Sequence, residues 1–337
     1  MHHVHPSLSH RSLSLTLLCA AALAACGGGG DDAPDGSSTS ADTATRYAAN
    51  ATLIVGEAGS ALDESVVAAQ AVVAAQAGVS VPTGTREPAM GAPTESPQAV
   101  VNVPVTCAGG GSATLTITGG TASSVLNGQF DTGEVYQIVF ANCKGSGSAA
   151  TVNGTLAMTV LSASGSDLSI TTTATDLSVT LPRGTVTLNG STTRQVSSSA
   201  GAGGTTVLSS RFISPNITLA THFNARSSSF TLSAVDITRQ STWLNNELQS
   251  SSINGTYTLS AVLPNGSFSY TVATQGGVSY AASGLPTAGA WTITLPFTRV
   301  GVSIANAVAT ITVDDGKDGT IDRTFTVPIG RLESDAG

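Results

Sequence analysis

The sequence predicts an all-β fold: a large antiparallel meander (curved sheet, sandwich or barrel-like) with one N-terminal helix. Three observations carry this. From about residue 100 onward, apolar and hydroxyl residues alternate with period two, as in strands with one buried face. Only 10% of the 337 residues are charged, while Ser and Thr supply roughly a quarter. Thr favours extended backbone through its branched Cβ and meets water through its hydroxyl, so low charge here does not mean disorder. The 37 glycines follow no collagen period and supply turns and bends. The same composition excludes a coiled coil, and the formal charge of −8 argues against a nucleic-acid partner.

The chain opens with Arg11, the apolar run Leu13 to Ala25, and Cys26. The run is shorter than the roughly 20 residues a spanning helix needs, and it fits the hydrophobic region of a secretory signal. Leu23-Ala24-Ala25-Cys26 resembles the lipobox of bacterial lipoproteins. That resemblance implies a signal peptide over 1–25, diacylglycerol on the Cys26 thiol and an acylated new N-terminus. Three acyl chains exceed the marginal hold of one, so the expected partner is the membrane. Gly27, where Asp would favour inner-membrane retention in this family, implies the outer membrane of the cell envelope. Loss of 1–25 removes Arg11, Cys19 and four of the five histidines, leaving a formal charge of −9 and His222 alone.

Residues 26–45 have almost no large apolar side chains and read as a lipidated flexible tether. Residues 46–99 read as a helix-containing segment and a linker. Within them, Ser60 and Asp63 resemble a helix N-cap, Val66 to Gln76 is Ala-rich, and Gly78 suits the C-terminal stop, predicting a helix over about 61–77. Pro82, Pro88, Pro93 and Pro97 mark the linker.

The β domain is expected over 100–330, with a tail at 331–337. Leu115 and Ile117 alternate with Thr114, Thr116 and Thr118. Leu156, Met158 and Val160 alternate with Thr155, Ala157 and Thr159, and Trp291, Ile293 and Leu295 with Thr292, Thr294 and Pro296. Between Ala234 and Val235 the alternation changes phase, which predicts a bulge. Asn153-Gly154, Asn189-Gly190 and Asn254-Gly255 share an apolar-Asn-Gly-hydroxyl motif, each before an alternating strand. Asn-Gly is a hairpin signal, and it fits a strand start or a bulge equally well. The uneven spacing excludes a regular solenoid.

With Cys26 taken by lipid, Cys107 and Cys143 remain, and two thiols in an exported chain are expected to form a disulfide; two buried free thiols are the other option. Val105-Thr106-Cys107 with Gly109 to Gly111, Tyr136 to Phe140, Asn142-Cys143 and Val152 to Thr155 resembles uncharacterised β-rich proteobacterial envelope lipoproteins. The resemblance covers about 100–160 and implies no established activity.

Signatures of hydrolases, nucleotide binders and zinc sites are missing. His222 is the only general base of its type left, and it reads first as an ordinary strand residue. Asp131 and Glu134 could form a glycosidase carboxylate pair, but turns commonly carry such residues and aromatic sugar platforms are scarce. Asp314-Asp315-Gly316-Lys317-Asp318-Gly319-Thr320-Ile321-Asp322 resembles an Asp-rich calcium loop, with Asp314, Asp318 and Asp322 as candidate ligands. It lacks a ligand at Gly316 and an acid at Phe325, and Lys317 opposes a cation; a metal-free Asp-Gly hairpin is the competing reading. No cofactor other than that calcium is expected.

Three functions follow as expectations. The first is a non-catalytic lipid-anchored envelope protein with a structural or interaction role toward another envelope protein. The second is a carrier holding a lipid or other small apolar ligand in a curved sheet. A hydrolase using His222 or Asp131 ranks last.

Overall fold

The computed structural model describes residues 101–119, 130–145, 147–245, 247–264, 266–282 and 285–330, together with Ala44 and Ala48. The lipobox, most of the tether, the helix read over 61–77, the linker and the tail lie outside the described residues. The remainder is one 14-stranded antiparallel sheet in which every strand pairs with its sequence neighbours. The strands are β1 (Val101–Thr106), β2 (Ser112–Thr118), β3 (Val135–Cys143), β4 (Thr151–Ser164), β5 (Asp167–Leu181), β6 (Gly184–Ala200) and β7 (Thr206–Phe223). There follow β8 (Arg226–Leu244), β9 (Glu247–Leu263), β10 (Gly266–Ala281), β11 (Pro286–Thr294), β12 (Thr298–Ala305), β13 (Val308–Asp315) and β14 (Arg323–Pro328). The fold is therefore the meander that the alternation predicts, and the sheet is open rather than a closed barrel, since β1 and β14 remain its two edges.

Because side chains alternate across a sheet, the register sorts residues into faces. One row runs Val103, Leu115, Ile138, Leu156, Ala174, Gly190, Ile217, Leu232, Leu259, Tyr270 across β1 to β10. Most of its members are buried, which defines the inner face. The neighbouring row, shifted by one residue, includes Thr116, Gln137, Thr173, Ser191, Asn216, Ser233, Thr258 and Thr271 on the outer face. Its hydroxyls satisfy one another across strands: Thr258 and Thr271 lie 2.8 Å apart, and in the next row Thr171 and Thr193 lie 2.8 Å apart. Such pairs each stabilise the sheet by roughly 0.2–1 kcal/mol, so hydroxyls link strands across the outer face.

The inner face carries two main core clusters. One joins β1 to β5 through Val105, Cys107, Leu115, Ile117, Ile138, Phe140, Leu156 and Ala174. The larger joins β7 to β14 and includes Phe212, Leu232, Tyr257, Val272, Trp291, Ile293 and Val313. Between them β6 contains no fully buried residue, and Leu188 of β6 packs against both clusters. Ala44 and Ala48 are helical, fully buried and part of the larger cluster.

The Asn-Gly motifs do not make hairpin turns. They lie within β4, β6 and β9, and each coincides with a register shift. Asn142 and Asp176 have positive φ (51° and 47°), and their N–H groups donate to the side-chain oxygens of Asn153 and Asn189, each at 2.7 Å. The predicted bulge at Ala234 is present, with φ 50° and a shift between Ser233 and Asp236. In the third copy Asn254 instead accepts from the Thr274 hydroxyl. The bulges fall at similar heights on successive strands, so they form a transverse crease. Bulges bend strands and raise local twist, so the crease marks where the sheet departs from regular pleating.

Candidate functional site

Cys107 and Cys143 form a disulfide with Cα atoms 5.4 Å apart. It ties the β1–β2 turn to the end of β3. Backbone bonds reinforce it: Lys144 N–H donates to Gly110 O, and Gly109 N–H donates to Lys144 O.

The Asp131–Glu134 pair closes a turn. Glu134 is fully buried, and its Oε2 accepts the Asp131 N–H at 2.9 Å and the Tyr136 hydroxyl at 2.8 Å. Burial and the Glu134 carboxylate together raise the Tyr136 pKa far above its ordinary value. A carboxylate held this way has its oxygen directed at its own turn rather than at a cleft.

His222 lies on the exposed outer face, its Nδ1 2.9 Å from the Ser227 hydroxyl. The groove around this pair is lined by Thr185, Thr187, Thr221, Ser228, Ser229 and Val262. None of these is a carboxylate that could orient the imidazole, so the pair lacks the third member of a nucleophile–base–acid arrangement.

The Asp-rich segment joins β13 to β14 as a hairpin. Asp314 is 2% exposed; its two oxygens accept the N–H groups of Asp318 (3.1 Å) and Gly319 (3.2 Å). Asp318 accepts from Thr320 N–H at 2.8 Å, and Asp322 accepts from Asp315 N–H at 2.7 Å. Arg299 stands 3.8 Å from Asp314, and Arg323 pairs with Asp315. The three candidate ligands thus serve the hairpin's own backbone, and among the described residues no group of three or more acidic, His or Cys side chains is placed to hold a metal. Asp314→Ala would leave two backbone donors without partners and is expected to cost about 2–3 kcal/mol. Chemical denaturation measures that loss. If these bonds rather than calcium close the hairpin, the wild-type melting temperature is the same in millimolar calcium and in chelator.

Sequence patterning overlooked a polar group on the inner face. The register places Arg239 beside Ile253 and Val278, and Ser241 beside Ser251 and Tyr280 in the adjoining inner row. Tyr257 (1% exposed) and Trp291 (3% exposed) belong to the same face. The Tyr257 hydroxyl, the indole nitrogens of Trp243 and Trp291 and the Arg239 Nε are buried and make no hydrogen bond. Among the described residues Arg239 joins no ion pair. The outward pair Arg211–Asp236, bonded at 2.8 and 2.6 Å, contrasts with it. Burial is the largest cause raising the Tyr280 pKa to about 12, opposed by Arg239; burial also raises Tyr257, with Tyr270 and Tyr280 adding to it.

A raised tyrosine pKa means that the folded state holds its proton more tightly than the unfolded chain. Tyr280 therefore contributes full stability below about pH 10 and loses it as pH rises toward 12. Holding the Tyr280 proton up to about pH 12 corresponds to about 2–3 kcal/mol. Denaturation midpoints should fall between pH 10 and 12, and Tyr280→Phe should flatten that fall.

These features define a class: an open antiparallel meander, creased along its bulges, with a hydroxyl outer face and an apolar inner face. No family model matches the chain, and neither a curated protein nor a solved structure matches it.

Proposed function

We propose that this chain is a non-catalytic, lipid-anchored protein of the bacterial envelope, with a structural or interaction role. The observation that carries the non-catalytic part is the engagement of the candidate catalytic groups. Glu134 staples a turn, and among the described residues His222 meets only Ser227; the candidate calcium ligands Asp314, Asp318 and Asp322 close a hairpin. The anchor rests on Leu23-Ala24-Ala25-Cys26, and outer-membrane placement on Gly27. The proposal includes no cofactor, and calcium at the hairpin would have to compete with the backbone bonds described above. Fractionation tests it: wild type is expected in the envelope, released by detergent, and Cys26→Ser in the soluble fraction. A Cys26→Ser variant recovered in the membrane fraction with unchanged mobility overturns the anchor.

A second reading, a carrier of an amphiphilic or apolar small molecule, is favoured by one specific observation. Among the described residues, the inner face carries buried N–H and O–H groups of Arg239, Trp243, Tyr257 and Trp291 that make no hydrogen bond.

A further inference from the structure

We propose that the end of the sheet where β3, β5, β7, β9, β11 and β13 finish is a docking rim for a lipid surface with anionic headgroups. The inference rests on the envelope reading and adds how the anchored body meets its membrane. In an antiparallel meander the connections alternate between the two ends of the sheet. The two ends differ in charge. At the connections after β3, β5, β7 and β13 stand Lys144, Arg183, Arg226 and Lys317, each exposed. The connections after β2, β4, β6, β8, β10 and β12 contain no Lys or Arg in their sequence, and around them stand Asp131, Glu134, Asp167 and Glu247.

Acids on the rim belong to the last hairpin, where they are occupied. Asp318 and Asp322 accept backbone N–H groups, Asp315 pairs with Arg323, and Asp314 lies against Arg299. The other connections at this end, after β1 through β11, contain no acid. Apolar side chains stand among the cations: Leu181 is 39%, Val262 59%, Ile321 52% and Phe297 74% exposed. Phe297 is held out on a fixed tip. Its carbonyl accepts the Gly316 N–H at 2.7 Å, Leu295 N–H donates to Thr298 O at 2.9 Å, and Lys317 Nζ donates to Leu295 O at 3.2 Å. Pro182, Pro264 and Pro296 each follow a Leu in these turns and fix the local φ, so docking orders little new backbone. Apolar tips among cations match the boundary of a bilayer, where tips reach the acyl region and cations meet headgroup phosphates. The tips recur at every second strand, roughly 10 Å apart, and a lipid surface meets so long a row at many points at once.

The experiment uses residues 26–337 with Cys26→Ser, so that no lipid anchor contributes. Phe297→Trp places a fluorescent reporter on the rim. Leu161→Trp, at a position 50% exposed toward the opposite end of β4, is the control. The parent chain, with Trp243 and Trp291, supplies the background. In about 20 mM salt, vesicles of mixed phosphatidylcholine and phosphatidylglycerol should shift the Phe297→Trp emission saturably to shorter wavelength. They should do so at about tenfold less lipid than phosphatidylcholine alone, and Arg183→Gln with Arg226→Gln should raise the lipid required by about tenfold. All these side chains are exposed, so melting temperatures should match the parent. About 0.5 M salt should abolish the shift, since the contact orients an anchored body and washing in salt releases the Cys26→Ser chain. Equal responses to the two kinds of vesicle would overturn the anionic surface. A matching shift in Leu161→Trp, or no shift on either vesicle, would overturn the rim. None of these results bears on the anchor, which fails separately if wild type carries no lipid on Cys26.

Discussion

Replacing both Cys107 and Cys143 by Ala is expected to lower stability by about 3–4 kcal/mol. The bridge spans 36 residues, and in the unfolded chain it removes the conformational freedom of a loop of that length. The native-state side adds to this. Cys107 is 2% exposed within the smaller core cluster, and the disulfide fastens an edge of the sheet where β1 has only six residues and a single neighbour. The loss should be read by denaturation of oxidised wild type, reduced wild type and the double variant. The two states without the disulfide should coincide. Losses confined to hydrogen exchange in β1 to β3 would mean that this edge unfolds separately from the rest.

Gly190→Ala is expected to cost about 2–4 kcal/mol, from backbone strain and a forced contact together. Gly190 has φ 134°, and a methyl group there would stand 2.4 Å from Asn216 O and 2.7 Å from Ile217 Cα. Both obstacles are backbone, so no side chain can turn aside. Gly154 is the matched case, with φ 106° and Asp176 O at 2.2 Å. Gly301→Ala provides the control: it lies in β12 without positive φ, and its nearest contact at 2.6 Å is the Thr312 hydroxyl, the movable end of a side chain. Thermal melts of the three variants should separate the two crease glycines from Gly301. Equal losses would mean that the crease is not where the sheet is bent.

The strands were legible because their two faces differ chemically. Leu115, Ile117, Leu156 and Met158 turn inward while Thr114, Thr116 and Thr155 do not, and period two follows from that difference. The bulge at Ala234 was legible for the same reason, since it interrupts the phase. Whether Asn-Gly turns the chain or bends it was not legible, because both uses ask for backbone freedom at Gly and a short polar side chain at Asn. The neighbouring strand decides: the Asn189 side chain accepts from Asp176, a partner 13 residues away. Openness of the sheet was equally hidden, since a barrel and an open meander have the same alternation. At the inner-face site one signal was present. In Val235, Ile237, Arg239, Ser241, Trp243 the inward phase itself carries an arginine, and a cation in an apolar phase marks either a partner or a ligand. The hydrogen bonds that occupy Asp314, Asp318 and Asp322 were not legible, because a turn and a calcium loop call for the same acids at the same spacing.

The central functional claim is the lipid at Cys26, because location and orientation depend on it. Mass spectrometry of the mature N-terminal peptide from envelope-extracted protein tests it most directly. The account predicts a chain beginning at Cys26 with diacylglycerol on the thiol and an acyl group on the new amine. An unmodified Cys26 inside a longer peptide, or a mature chain that begins elsewhere, would contradict it.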